Sequence, residues 1–478
     1  MLIEDFVFPR KVLALTVLIG LIGCGNSSNS KDAETVTLPG VTGFGTGLFS
    51  SNSANIDNEL FPLTPGKSYI YEGEEERIEV SVSHDTKTIM GIESVIVVDR
   101  AYEEDKLVEE TFDWYAQDMN GNVWYMGEDS KEIEDGDVVS TEGSWISGGD
   151  VDNIGQNAEA GIIMKVPPHT VGDTYLQENY PTIAEDMAEI IALNVTVDGF
   201  QVILEDGSEV NSFTATKFKE WVPLDADPVE TEEFKYFASG VGLVLETDAF
   251  DEERIELKSI TDDKTPNISV DNFTNPTNVT NKYFPLVVGS TSTYQTTAGE
   301  DEEFIFIEVL ADAKMVMGIN VVVVRDRVYI DGDQDTGILI EDTRDWFAQD
   351  DDGNVWYMGE DVDNFDEDTG DFVDNEGAWE AGVNGAQPGI QMKANPRIGD
   401  SYRQEYLEGE AEDLAAIVGI DVTVMLENGS SFQTLMVKEW NPLEEESTEF
   451  KYFAENFGLI REEGLDEDGK VEEVIELE

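Results

Sequence analysis

Cysteine is almost missing from this chain of 478 residues: Cys24 is the only one. With a single thiol there is no intrachain disulfide, no thiolate metal cluster and no Cys-x-x-Cys-His haem attachment. Histidine is nearly as rare, with only His84 and His169. Cationic residues are scarce too, 28 Lys and Arg against 104 Asp and Glu, so the formal charge is −76. Binding nucleic acid requires neutralising lysines and arginines, so DNA and RNA are excluded as partners. An anionic membrane surface would also repel the chain, so contact with a membrane has to come from a lipid anchor alone. A strongly acidic surface suits saline surroundings and divalent cations alike.

Long apolar runs are absent except near the start. Arg10 and Lys11 precede an apolar stretch from Val12 to Gly23, too short to span a bilayer and of the length of a signal-peptide core. It ends in Leu21-Ile22-Gly23-Cys24, which resembles the lipobox of bacterial lipoproteins. The resemblance implies cleavage before Cys24, lipidation of its thiol and export to the cell envelope. Glu4 and Asp5 depart from the usual positive leader, and Gly25, where an Asp would favour inner-membrane retention, points to the outer membrane.

Most of the chain is a duplication. Leu60-Phe61-Pro62-Leu63 returns as Tyr283-Phe284-Pro285-Leu286. Asp113-Trp114-Tyr115-Ala116-Gln117-Asp118 returns as Asp345-Trp346-Phe347-Ala348-Gln349-Asp350. The nine residues from Gly121 to Asp129 recur unchanged from Gly353 to Asp361. Lys219-Glu220-Trp221 recurs at 438–440, and Phe234-Lys235-Tyr236-Phe237-Ala238 at 450–454. Matches in the same order mark a tandem repeat. The expected organisation is a signal peptide (1–23), a flexible tether (24–57), a first repeat (58–260), a linker (261–280) and a second repeat (281–478). These repeated words resemble a family of secreted bacterial β-rich proteins that carries no known activity. The resemblance implies export and one domain type, and it assigns no site residues.

Each copy reads as mostly β (α+β), a curved antiparallel sheet with one main helix. Ile70, Val80 and Val97 sit in β-rich runs between turn residues. Thr111 to Glu128 reads as a hairpin about Met119-Asn120-Gly121, where glycine accepts a positive φ. Ile183, Met187, Ile190 and Ile191 fall at helical spacing, so the helix is expected over 181–193, with a partner at 409–418.

Three constellations can carry chemistry. Trp114 and Trp124, with Trp346 and Trp356, lie on aromatic hairpins and suit either core packing or a stacking platform for a ligand. The acids Asp113, Glu128, Glu178, Glu185 and Asp186 recur as Asp345, Glu360, Glu405, Glu412 and Asp413; paired carboxylates serve glycoside hydrolysis when held close together. Asp331, Asp333 and Asp335 alternate before Gly337, with Asp342 twelve positions in, the pattern of a calcium loop or of a solvated turn. Histidine chemistry common to both copies is excluded, because Ala311 and Pro396 occupy the equivalent positions. The function expected is a non-catalytic binding or interaction lipoprotein of the envelope. The alternatives are a calcium-stabilised surface protein and a carboxylate-dependent polysaccharide hydrolase.

Lipidation is directly testable. In cells fed a clickable palmitate analogue the wild-type chain is expected to label and Cys24→Ser to lose the label; equal labelling of the two would remove the lipoprotein reading.

Overall fold

The computed structural model describes residues 44–478 apart from 75, 105, 135, 152–153, 181–182, 206, 224–231, 251–252, 264–267, 300–302, 444–447 and 467–468. Cys24 and the signal segment lie outside the described residues. The chain divides into two compact units, Met1–Asp262 and Asp263–Glu478. Each holds one 15-stranded sheet, and the two sheets have the same strand order.

In unit one, Lys67–Glu72, Glu76–Ile89, Ile92–Glu103, Lys106–Gln117 and Val123–Glu134 form an antiparallel meander. A second meander runs through Met187–Ile203, Glu209–Trp221, Glu233–Ala238, Gly242–Asp248 and Arg254–Asp262. The first strand of one pairs with the last strand of the other, Lys67 opposite Asp262 and Tyr69 opposite Ile260. The remaining two edges are capped by the short strands Glu159–Met164 and Thr174–Leu176, only ten residues apart in the chain. A connection that short draws the edges together, and the sheet is nearly a barrel. Unit two repeats the plan from Thr291–Ala298 to Val471–Leu477.

The sheet forms because its strands alternate. In Glu76–Ile89, Ile78, Val80 and Val82 are buried while Arg77, Glu79 and Ser81 are partly exposed. Each such side chain contributes about 1.5–3 kcal/mol when fully buried. Val123–Glu134 breaks the alternation: six consecutive residues from Val123 to Glu128 are buried, so both faces are covered. Tyr115 and Tyr125 belong to the main core; Trp114 and Trp124 belong to a smaller cluster on the other face.

The expected helix is not there; the described residues contain no α-helix. Met187–Ile203 and Leu414–Met425 are strands. Ile190 faces Phe218 and Ala192 faces Lys217, so Ile191 is an extra residue taken up by a β-bulge. A bulge shifts the alternation by one place, and the spacing of Ile183, Met187, Ile190 and Ile191 then mimics a helical stripe.

Parts of the expected tether and linker are also structured. Phe44 and Phe49 lie 5.4 and 6.2 Å from the Trp124 ring, and Gln117 N–H donates to Ser53 C=O. In unit two Phe273 lies 6.3 Å from Trp356, and Gln349 N–H donates to Pro276 C=O. Each unit therefore carries an N-terminal strap across its hairpin. Polar, aperiodic sequence concealed it, since one or two phenylalanines make the contact.

Expressed separately, residues 44–262 and 263–478 are each expected to unfold cooperatively. Phe44→Ala should lower the stability of the first by about 1 kcal/mol through the lost aromatic contact. Urea unfolding checks both, and a non-cooperative transition in each piece would mean that the copies are one intertwined domain.

Candidate functional site

The repeated motif around the hairpin builds structure first. Asp118 sits at the turn and accepts from Asn120 N–H (2.8 Å), Asn122 N–H (3.0 Å), Asn122 Nδ2 (2.9 Å) and Trp124 Nε1 (3.1 Å). Asp350 does the same for Asn354 and, at 2.8 Å, for Trp356 Nε1. One buried carboxylate thus satisfies the loop and the indole together. Gly121 and Gly353 have φ of 93° and 96°, as the turn requires. Gly127 admits no side chain, because a Cβ there would lie 2.4 Å from the Trp145 carbonyl oxygen. The four tryptophans expected as a platform, Trp114, Trp124, Trp346 and Trp356, are at most 6% exposed. Lys87 and Lys314 cover Trp114 and Trp346, and the straps cover Trp124 and Trp356. These rings belong to the core, with no open face for a ligand.

On the inner face the hairpin supplies acids. Tyr125 OH donates to Asp113 (2.6 Å) and Tyr357 OH to Asp345 (2.7 Å). Trp145 Nε1 donates to Glu178 (2.7 Å) and Trp379 Nε1 to Glu405 (2.5 Å). From the second meander comes a lysine. Lys235 Nζ lies 2.8 Å from Glu220, 3.8 Å from Glu233 and 3.8 Å from Glu246. Lys451 stands at 2.8, 3.3 and 3.7 Å from Glu439, Glu449 and Glu462. Gln177 and Gln404 donate to Glu220 and Glu439.

So the structure gathers Asp113, Glu128, Glu178 and Asp186, four of the five acids singled out in the sequence, into one interior region, where Asp186, Glu128 and Asp113 act on Glu178, and Asp113 and Asp186 on Glu128. The lysines and their glutamates were missed, although Lys-Glu-Trp and Phe-Lys-Tyr recur in both copies. A lysine between two aromatics on a strand, in a chain so poor in lysine, was the available signal.

Enclosure holds protons on these acids. Desolvation and then the neighbouring acids push Glu178, Glu128 and Glu405 well above the usual carboxylate range. Burial raises Asp113 to about 7 and Asp345 to about 6, with their tyrosines opposing. Burial and then Asp345 raise Glu360 to about 8, and burial raises Glu462 to about 7 against the pull of Lys451. The nearby acids hold the lysines charged against the opposing effect of burial.

The two copies differ in how full this interior is. In unit one Tyr69, Tyr115 and Phe61 fill it, and Lys235 and Glu246 are 1% and 0% exposed. In unit two Ser292 stands where Tyr69 does, and Lys451 and Glu462 are 23% and 24% exposed. A cavity of about 330 Å³ opens there. One side is apolar, with Phe284, Ile307, Phe347 and Phe453; the other carries Asp326, Asp345, Glu405, Asp413, Glu439 and Lys451. The strand residues among them come from both halves of the sheet order, brought face to face by its curl.

The acidic loop expected to hold calcium does not assemble as drawn. Asp342 is buried in Ile338–Gln349 and takes both arms of Arg325, Nε at 2.7 Å from Oδ1 and Nη2 at Oδ2. Asp333 accepts from Thr336 Oγ1 (2.8 Å) and from the N–H groups of Asp335 and Thr336, an ordinary side-chain-capped turn with Asp331 and Asp335 beside it. Among the described residues no three His, Cys, Asp or Glu side chains are grouped to hold a metal ion.

Acids raised in the folded state have a definite consequence for pH. Their unfolded values lie near 4, so the native state binds more protons between about pH 4 and 8. Stability is then complete below the unfolded values and falls as pH rises through 6 to 8. Urea unfolding of the whole chain is expected to give a smaller free energy at pH 8 than at pH 5. Glu360→Gln should recover about 1 kcal/mol or more of that loss; an unchanged slope in the variant would show that Glu360 is not held protonated.

No family model and no curated protein matches the chain. Two solved structures are similar to part of it. One is a candidate exported protein with a YMCC-like fold from Bacteroides fragilis NCTC 9343, 15% identical at a TM-score of 0.24, covering 41% of this chain and 96% of that one. The other is a candidate lipoprotein from Parabacteroides distasonis ATCC 8503, 11% identical at 0.23, covering 41% and 97%. At such TM-scores neither likeness carries an argument about this chain.

Proposed function

We propose that the chain is an exported, lipid-anchored, non-catalytic binding protein of the bacterial cell envelope, in which the second copy holds a small ligand and the first is its filled structural counterpart. The observation that carries this reading is the cavity of about 330 Å³ in unit two, at a place that unit one fills with Tyr69. Its size falls in the range of small-molecule sites, and its walls combine apolar and aromatic side chains with a few convergent polar groups. Most of those walls are sheet strands, so much of the pocket is formed before a ligand arrives. Asp345, Glu405 and Glu439 are already engaged by Tyr357, Trp379 and Gln404, which suits groups that shape and charge a pocket.

A neutral lipophilic dye, N-phenyl-1-naphthylamine, tests the pocket in the full mature chain. Its fluorescence is expected to rise on binding at one site per chain, and Ser292→Tyr, which installs the residue found in unit one, should abolish the rise. Undiminished fluorescence in that variant, with its fold intact by circular dichroism, would place the dye elsewhere and refute the pocket.

A further inference from the structure

Resting on that reading, we infer that the unit-two pocket selects an organic ammonium ion: an amine carried on an aromatic or alkyl body.

The charge of the lining is one-sided. Five carboxylates, Asp326, Asp345, Glu405, Asp413 and Glu439, face a single cation, Lys451. That lysine is already committed to Glu439, Glu449 and Glu462 and has little left to offer an anion. An anionic ligand would have to enter against all of this, at a cost that rises as water is expelled. For a cation the same walls supply the counter-charge once an acid gives up the proton that enclosure holds on it in the empty pocket.

The acceptors are also unequal. Asp345 and Glu405 have donors from the protein, Tyr357 OH and Trp379 Nε1. Asp326 Oδ1 and Asp413 Oδ1 are buried and accept no hydrogen bond, Asp413 bonding to Glu405 through its other oxygen, and both residues line the cavity. Buried acceptors are nearly always satisfied in proteins. Two left without donors, on the acidic side of an apolar-walled pocket, match a ligand head that carries several N–H donors and a positive charge. An ammonium group does both, whereas an alcohol brings one donor and no charge.

The opposite wall suits the rest of such a molecule. Phe284, Phe347 and Phe453 form one cluster, with ring centroids of Phe284 5.1 Å from Phe347 and 6.4 Å from Phe453. Phe457, 60% exposed, stands at the edge of the cavity where unit one has Val241. Aromatic faces attract both apolar surface and cations. Unit one has the corresponding lysine and acids, but there Tyr69 and Tyr115 occupy the space and Lys235 and Glu246 are enclosed, so the selectivity belongs to unit two.

Three isosteric ligands test this on the full mature chain by calorimetry at about 0.15 M salt, where long-range surface attraction is screened: tryptamine, neutral tryptophol and anionic indole-3-acetate. Tryptamine is expected to bind at least about tenfold tighter than tryptophol, with indole-3-acetate weakest. Asp326→Asn with Asp413→Asn should remove most of the amine preference while leaving tryptophol binding in place. Ser292→Tyr, or Val324→Phe should that variant not fold, should abolish binding of all three while retaining the surface charge. An acid that binds as well as the amine, an amine preference unaffected by the paired Asn variant, or amine binding that survives the filled pocket would each overturn the inference. If the naphthylamine dye binds in a Ser292→Tyr-sensitive way but the amine shows no preference, the pocket stands and its cation selectivity falls. If neither the dye nor any indole binds, both fall.

Discussion

Inside each sheet one ammonium group faces three glutamates, and Asp186 and Asp413 feel the same charge. Lys235 and Lys451 come from the second meander, as do the glutamates they pair with, whereas Asp113 and Glu128 come from the first meander and Glu178 from the segment joining the two. Like charges gathered on an inner face would force the sheet open unless something offset them. Three things do: the lysine, hydrogen bonds from tyrosine, tryptophan and glutamine side chains, and protons retained by the acids themselves. The curl of the sheet, which brings its ends together, is therefore compatible with an acidic lining only as a set. Removing the lysine from such a set leaves buried charge uncompensated, the costly way to break a buried pair.

Against that shared frame the two copies have diverged by volume more than by chemistry. The polar set is duplicated nearly residue for residue, whereas Tyr69 against Ser292 and Tyr115 against Phe347 change how much room is left. A filled interior gains packing and gives up access; an open one keeps access and exposes its lysine and acids to water. The duplication thus supplies a control within one molecule, in which the electrostatic framework recurs and the void differs.

Much of this was legible in the sequence, and the rest was hidden for identifiable reasons. Gly121 and Gly353 marked the hairpin turns, and alternation in runs such as Ile78, Val80 and Val82 marked the strands, because each is a local property. The acids Glu178 and Asp186 stood out by recurrence, yet their convergence with Asp113 and Glu128 depends on pairings between distant strands. Ile191 misled because a bulge is a tertiary event that alters a local period. Asp342 looked like a loop ligand because its partner, Arg325, is 17 positions away across a strand pair. The straps were read as tether because their contacts rest on Phe44, Phe49 and Phe273, with polar sequence around them.

The pairing of Lys67–Glu72 with Arg254–Asp262 joins the two ends of the first unit, nearly two hundred residues apart in the chain. Such a closure cannot be made early, since its last strand is the last to be synthesised, and contacts of high sequence separation form slowly. The second unit opens with a strand of the same role, Thr291–Ala298, and closes with Val471–Leu477. While the molecule assembles, each opening strand has two eligible closing strands in one chain, and an exchange would satisfy the same hydrogen bonds in a swapped form. The seam pairs themselves recur: Tyr71 faces Leu257 in the first unit and Tyr294 faces Leu477 in the second.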